Sequence, residues 1–176
     1  MILTIKQIDY IIKRDIGSSC PYSRFKTIKH LRLDIINNCF SRRTVEEIIL
    51  ALERESVNSN SGWISSTIKS LKAASPTSLK ITLRSIREGR LQGVGQCLIS
   101  EYRIVCHILQ GEISKDFMEG CRAIIVDKDK NPKWEPSKLE LVTDEMVDRY
   151  FSKLDDWEDL KLPTRSNLPA HAIAKL

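Results

Sequence analysis

Helical periodicity of the apolar residues is the feature that most constrains the fold of this 176-residue chain. Apolar side chains at positions i, i+3, i+4 and i+7 line one face of an α-helix. The first clear example in the sequence is Val45, Ile48, Ile49 and Leu52. Alternation of apolar and polar residues, which is typical of a half-buried strand, is weak, and residues 124–126 form the one short strand-like run. The pattern therefore predicts an all-α fold in one domain.

Four further apolar stripes follow along the chain. Such a stripe on an amphipathic helix normally faces the protein core. The stripes consist of Trp63, Ile64, Ile68 and Leu71; of Leu79, Leu83 and Ile86; of Val94, Leu98, Tyr102, Val105 and Leu109; and of Val147, Tyr150, Phe151 and Leu154.

Helix start and stop signals bound several of these stripes. Thr44 with Glu47 three residues later forms a capping-box pattern, and Ser75-Pro76 combines an N-cap residue with proline at the first helical position. Thr143 is expected to cap the last helix, and Gly111 is expected to end the long helix that begins near Val94.

Charge and hydropathy exclude several classes of function. The 28 basic and 23 acidic residues give a net charge of +5, and the two signs are interleaved along the chain rather than segregated. This arrangement favours a solvated surface, so we predict no nucleic-acid partner; a nucleic-acid binder would show steep salt dependence. The sequence also lacks the roughly 20 continuous apolar residues that a membrane helix needs, so no membrane partner is expected.

The five cysteines point to a reducing compartment. Their number is odd and no pair has Cys-x-x-Cys spacing, which argues against a disulfide framework and against a zinc site. Cys106 and His107 are adjacent, and adjacent side chains on a helix do not face each other, so they are not expected to form a catalytic pair. We predict no metal or redox cofactor.

Several separated blocks resemble one known family. They include Ser75–Leu83, Glu119–Ala123 and the run Asp127–Trp134, preceded by Leu33–Phe40 with Thr44–Ile49. In this order they are similar to the C-terminal part of 3-hydroxyisobutyryl-CoA hydrolases, which belong to the crotonase, or enoyl-CoA hydratase/isomerase, superfamily. The resemblance covers about residues 27–165.

The resemblance implies hydrolysis of 3-hydroxyisobutyryl-CoA to 3-hydroxyisobutyrate and CoA, a step of valine breakdown. That reaction needs backbone N–H groups to stabilise the oxyanion and a carboxylate to activate water or the acyl group. In the family both come from a β/α spiral core, and no stretch of this sequence resembles that core. The expectation is therefore an all-α, helical C-terminal region without the core, and no catalytic residue is predicted here. The alternative is a catalytically incomplete module that covers CoA or contacts another subunit.

The family resemblance also implies where the acyl-CoA substrate would be bound. Lys128 is predicted to contact a CoA phosphate, with Lys130 and Lys133 as further candidates, and Trp134 is a candidate for stacking on the adenine. CoA is part of the substrate, so it is not counted as a cofactor. Two structural alternatives stay open: residues Asp127–Lys133 as a solvated turn with local ion pairs, and Trp134 as an anchor of that turn. A structural Arg122–Glu119 pair is also expected.

The two ends of the chain carry separate predictions. Residues 1–26 are unassigned, residues 27–161 form the helical domain, and residues 162–176 are predicted to be a disordered tail. The tail ends in Ala174, Lys175 and Leu176, a variant of the Ser-Lys-Leu peroxisomal address. Some plant members of the family look peroxisomal as well, so a peroxisome is predicted, with the mitochondrion as the alternative. A crotonase core or another subunit is the expected protein partner.

Overall fold

A computed structural model of the protein describes residues 32–58, 61–155 and 158–162. All regular secondary structure in these ranges is helical, so the all-α prediction is confirmed for this part of the chain. The α-helices are α1 (32–40), α2 (Val45–Asn58), α3 (Gly62–Ala73), α4 (Pro76–Gly89), α5 (Val94–Gln110), α6 (Asp116–Cys121) and α7 (Asp144–Phe151). A π-helical turn, Arg122–Val126, continues α6, and a 3₁₀ turn, Leu139–Leu141, precedes α7. The strand-like run 124–126 therefore lies in the π-helical turn.

Two hydrophobic clusters hold these helices together. The first cluster joins α1, α2 and α3 through Cys39, Ile48, Leu52 and Ile64, all of which are buried. The second cluster joins α4, α5 and α7, and its buried members are Ile81, Ile104, Val142, Val147 and Tyr150. Full burial of one large aliphatic side chain contributes roughly 1.5–3 kcal/mol.

The predicted helix starts are confirmed by their hydrogen bonds. Glu47 N–H donates to Thr44 Oγ1 over 3.1 Å, and Thr44 N–H donates to Glu47 Oε2 over 3.3 Å, which completes the capping box of α2. Ser75 Oγ accepts from Ser78 N–H at the start of α4. Thr143 Oγ1 accepts from Met146 N–H at the start of α7. Each bond satisfies a backbone donor that the helix itself leaves unpaired.

Helix α5 is confirmed, and its apolar stripe is largely exposed. Val94, Leu98, Val105 and Leu109 are exposed, whereas Ile104 and Cys106 of the same helix are buried. Apolar residues occur on several sides of α5, so the periodicity identifies a helix but leaves open which side the neighbouring helices cover. Four of the five residues in this stripe are therefore exposed in the part of the chain that the structure describes.

Helix α4 shows a smaller difference of the same kind. Ile86, expected to face inward, is exposed, and Ile81 is the buried aliphatic residue of this helix instead. Leu83 does pack against the first cluster, as predicted. The helix lies between the two clusters, so its buried surface is wider than one stripe.

Residues 158–162 run along α5 in the opposite direction. The Arg103 guanidinium donates two hydrogen bonds to the Asp159 carboxylate, one of them from Nε over 2.8 Å. Further along, a methyl group at Gly95 would lie 3.2 Å from Leu162 Cδ1, so the absence of a side chain there permits the contact. The α5 helix itself ends at Gly111, which has a φ of 68° as expected for a helix-terminating glycine.

Candidate functional site

The candidate site is built from the π-helical turn and the residues after it. We call residues 127–134 the lysine loop, because they include Lys128, Lys130 and Lys133. The loop folds back over the turn: Asp127 N–H donates to Arg122 O over 2.8 Å, and Lys130 N–H donates to Ala123 O over 3.0 Å. π-Helical turns are rare and occur frequently at functional sites.

Arg122 is the centre of the hydrogen-bond network around this loop. Its guanidinium donates two bonds to Glu119, of 2.8 and 2.9 Å, which confirms the expected Glu119–Arg122 pair. The same group also binds the carboxylates of Asp127 and Asp129, the latter over 2.8 Å, and the backbone carbonyl of Asn131. Arginine suits such a position because its planar guanidinium carries five donors in a fixed geometry.

Two lysines of the loop have a left-handed backbone. The φ angles are 56° at Lys128 and 55° at Lys130. A residue with a Cβ atom adopts this conformation at a cost of roughly 1–2 kcal/mol, so the surrounding bonds must hold it in place. Such backbone strain is found preferentially at functional sites.

The three lysine side chains of the loop are exposed to solvent and accessible to a ligand. Within the ranges 32–58, 61–155 and 158–162, none of Lys128, Lys130 and Lys133 forms a salt bridge. The neighbouring carboxylates of Asp127 and Asp129 bind Arg122 instead. The local ion pairs of this exposed turn thus join Asp127 and Asp129 to Arg122, so the alternative of a solvated turn stays open beside the predicted CoA contact.

Trp134 fixes the far end of the loop. Its indole Nε1–H donates to the backbone carbonyl of Ala73, at the end of α3, over 3.0 Å. A methyl group at Gly120 would lie 3.3 Å from the ring carbon Cη2, so the ring packs closely on α6. These contacts agree with Trp134 as an anchor of the turn, and its stacking on adenine stays a prediction.

A buried carboxylate joins this region to the start of α4. Asp116 Oδ2 accepts from Ser75 Oγ over 2.5 Å, and Asp116 Oδ1 accepts from Glu135 N–H over 2.9 Å. Burial of the phenol, together with the Asp116 charge, raises the pKa of Tyr150 to about 12. Sequence reasoning did not single out Asp116, because its partner Ser75 lies 41 positions away.

The Glu119 carboxylate gives the site a testable pH dependence. Hydrogen bonds from Arg122 and then from Lys133 N–H lower the pKa of Glu119 to about 2. A carboxylate with a lowered pKa stabilises the fold above its unfolded pKa of about 4.3, and this contribution is lost as the pH falls through the folded value. We expect NMR titration of the Glu119 side chain to give a midpoint near 2, and a higher midpoint in Arg122→Gln. A midpoint near 4.3 in the unaltered protein would contradict the network.

Other candidate chemistries receive no support from the described residues. In those ranges no group of three or more His, Cys, Asp or Glu side chains could hold a metal ion. His107 Nε2 lies 3.3 Å from the backbone oxygen of Ser152, and Cys106 is buried. No helix in the described part is long and apolar enough to cross a bilayer. The targeting tripeptide Ala174, Lys175 and Leu176 lies outside the described residues.

Curated relatives match most of this chain but a smaller part of their own length. 3-Hydroxyisobutyryl-CoA hydrolase 1 from Arabidopsis thaliana is 70% identical over 145 residues, which cover 82% of this chain and 38% of that protein. The mitochondrial 3-hydroxyisobutyryl-CoA hydrolase-like protein 1 from Arabidopsis thaliana is 51% identical over 135 residues, which cover 76% of this chain and 34% of that protein. The chain thus spans less than half the length of these relatives.

A solved structure and a family model agree with these matches. The crystal structure of a carnitinyl-CoA dehydratase from Mycobacterium thermoresistibile superposes with a TM-score of 0.61 at 30% identity, covering 80% of this chain and 36% of that one. The family model described as enoyl-CoA hydratase/isomerase matches residues 6–151, which include the whole lysine loop. The expected resemblance to 3-hydroxyisobutyryl-CoA hydrolases is confirmed, and the chain belongs to the enoyl-CoA hydratase/isomerase family.

Proposed function

We propose that this chain serves the hydrolysis of 3-hydroxyisobutyryl-CoA, in valine breakdown, as the helical region that contacts the CoA part of the substrate. The observation that carries the proposal is the lysine loop, whose three exposed ammonium groups have no carboxylate partner in the described ranges. The 70% identity to a protein named for this hydrolysis supports the choice of substrate.

The loop suits the phosphates of CoA for physical reasons. An ammonium group is a compact point charge that binds phosphate oxygens through charge-assisted hydrogen bonds. Lys128 is the first candidate, with Lys130 and Lys133 beside it. Trp134 closes the loop and is a candidate for contact with the adenine. No metal or redox cofactor enters the proposal, because water supplies the atoms that the hydrolysis adds.

The reaction itself would use groups of the family's β/α spiral core. Water adds to the thioester carbonyl, the C–S bond breaks, and the sulfur leaves with a proton as the CoA thiol. The oxyanion donors and the carboxylate for these steps would come from that core. The role proposed for this chain is to bind the CoA moiety and hold it over the core.

Lys128→Ala is expected to weaken CoA binding to the 176-residue chain by at least about tenfold, because one charge-assisted hydrogen bond contributes about 1.5–3 kcal/mol. Isothermal titration calorimetry with CoA measures the effect. Lys69→Ala is the matched control, because Lys69 is an exposed lysine of α3 and its replacement changes the net charge equally. If Lys128→Ala and the unaltered chain bind CoA with equal affinity, Lys128 does not contact CoA.

The second candidate function is a contact module for the crotonase core. The observation that favours it is the exposed stripe of α5, formed by Val94, Leu98, Val105 and Leu109, whose side chains are 43–63% exposed. At 3.6 residues per turn these positions fall within about 60° of one another. An exposed apolar stripe of this kind marks a protein interface. The core of the family is the proposed occupant, because the match to the related solved structure covers only 36% of that chain.

The stripe can be tested with one charged substitution. Leu98→Glu is expected to leave the thermal unfolding of the 176-residue chain unchanged, because Leu98 is exposed there. The same substitution is expected to abolish binding to a separately produced core of Arabidopsis thaliana 3-hydroxyisobutyryl-CoA hydrolase 1. Gln96→Glu, at another exposed position of α5, is the control. Unchanged binding of Leu98→Glu to the core would contradict this second function.

The compartment stays a prediction. The tripeptide 174–176 is the basis of the peroxisomal proposal, whereas the names of three relatives, which include the word mitochondrial, support the alternative. A fluorescent protein fused to the N-terminus, with and without Leu176, tests the peroxisomal signal. A fusion to the C-terminus, which leaves the N-terminus free, tests the mitochondrial alternative.

A further inference from the structure

We propose that Arg122 is a positioning residue that keeps the lysine loop ready for phosphate, an inference that rests on the proposed contact with CoA. The sequence Asp127-Lys128-Asp129-Lys130 alternates opposite charges, and in a flexible loop such neighbours would neutralise each other. In the structure the acidic neighbours do not pair with the lysines, because the Arg122 guanidinium binds the carboxylates of Asp127 and Asp129.

Arg122 bonds to three alternate residues of the loop, at positions 127, 129 and 131. Its guanidinium binds the Asp127 carboxylate, the Asp129 carboxylate over 2.8 Å and the Asn131 carbonyl over 3.3 Å. Asn131 N–H in turn donates to Asp129 Oδ1 over 2.8 Å. These bonds turn positions 127, 129 and 131 towards the π-helical turn.

The lysines lie between and beyond these positions, and their backbone is held as well. Lys130 N–H donates to Ala123 O over 3.0 Å, and Lys133 N–H donates to Glu119 Oε1 over 2.7 Å. Glu119 is itself held by two bonds from Arg122. The backbone of the loop is therefore tied to residues 119–123, while its lysine side chains extend into solvent.

These bonds of Arg122 have an electrostatic consequence for the loop. Arg122 binds three carboxylates, those of Glu119, Asp127 and Asp129, so their negative charge is directed at the guanidinium. The left-handed backbone at Lys128 and Lys130 persists because these bonds offset its cost. A lysine at position 122 could not replace the arginine, since one ammonium group lacks the planar set of donors that three carboxylates require.

The test measures loop order and CoA binding separately in the 176-residue chain. Endoproteinase Lys-C cleaves only after lysine, so Arg122→Gln leaves its sites unchanged, whereas Arg122→Lys adds a site at position 122 and is compared by its CoA affinity alone. Arg122→Gln is expected to speed cleavage after Lys128 and Lys130, and both Arg122→Gln and Arg122→Lys are expected to weaken CoA binding by about tenfold. Arg54→Gln, at an exposed arginine of α2, is the control for the lost charge.

A double-mutant cycle separates positioning from direct contact. If Arg122 acts through Lys128, Arg122→Gln weakens CoA binding much less in a Lys128→Ala background than in the unaltered chain. Full additivity would overturn the inference and make Arg122 a binding residue in its own right. Unchanged Lys-C cleavage in Arg122→Gln would overturn it as well.

The failure of the inference differs from the failure of the proposed function. If the unaltered chain binds no CoA, the proposed contact with CoA is wrong. The Lys-C result then decides by itself whether Arg122 orders the loop. If CoA binds and Lys128→Ala weakens it while Arg122→Lys binds normally, the function stands and the role of Arg122 falls. Comparison with 3′-dephospho-CoA shows which phosphate of the ligand the loop contacts.

Discussion

Replacing Leu52 with alanine is expected to lower the free energy of unfolding by about 2–5 kcal/mol, the range for buried leucines. Leu52 is fully buried at the centre of the first cluster, where α1, α2 and α3 meet. The substitution removes the aliphatic contacts and leaves a cavity that the packed neighbours Ile48 and Ile64 fill only in part. Urea unfolding followed by circular dichroism measures the change.

Leu50→Ala is the matched control for this prediction. Leu50 lies on the same helix and loses the same atoms when it is replaced with alanine, but 51% of its surface is exposed. Its replacement is expected to change the unfolding free energy by no more than about 0.5 kcal/mol. Equal effects at the two positions would contradict the cluster that joins α2 to α3.

Asp116→Ala is expected to be the most damaging substitution of a polar residue in the described ranges. Asp116 is buried and accepts hydrogen bonds from Ser75 and from Glu135 N–H. Hydrogen bonds to a charged group contribute about 1.5–3 kcal/mol each, and the alanine variant leaves both donors without their acceptor. We therefore expect a loss of about 3 kcal/mol in unfolding free energy.

The same variant affects the candidate site, because Glu135 follows Trp134 at the end of the lysine loop. Faster Lys-C cleavage after Lys133 is expected in Asp116→Ala. Asp155→Ala, at an exposed aspartate, is the control and is expected to change neither stability nor cleavage. A stable Asp116→Ala variant with a protected loop would show that the carboxylate does not join the loop to α4.

Local interactions explain why the helices and their starts could be predicted from the sequence. The Thr44–Glu47 capping box and the Ser75 cap involve residues three positions apart, so their signals lie within one short window. The Arg122–Glu119 pair has the same spacing. Periodicity also identified α5 correctly as a long helix ending at Gly111.

Interactions between distant segments explain what the sequence did not reveal. The side of α5 that is buried depends on where α4 and α7 lie, and the stripe at Val94 and Leu98 carries no information about that. The Asp116–Ser75 bond spans 41 positions, and an aspartate at a helix start usually signals only the helix dipole. The role of Arg122 as the partner of three carboxylates likewise required the fold of the lysine loop.

The most direct test of the account is a chimera. The region of Arabidopsis thaliana 3-hydroxyisobutyryl-CoA hydrolase 1 that matches this chain, 38% of that protein, is replaced by the matching 145 residues of this chain. Thiol release from 3-hydroxyisobutyryl-CoA is then compared with that of the parent protein. We expect the chimera to turn over the substrate at a rate comparable to the parent protein, and we expect Lys128→Ala in the chimera to raise the KM. A folded chimera that releases no thiol would contradict the proposal that this helical region serves the hydrolysis.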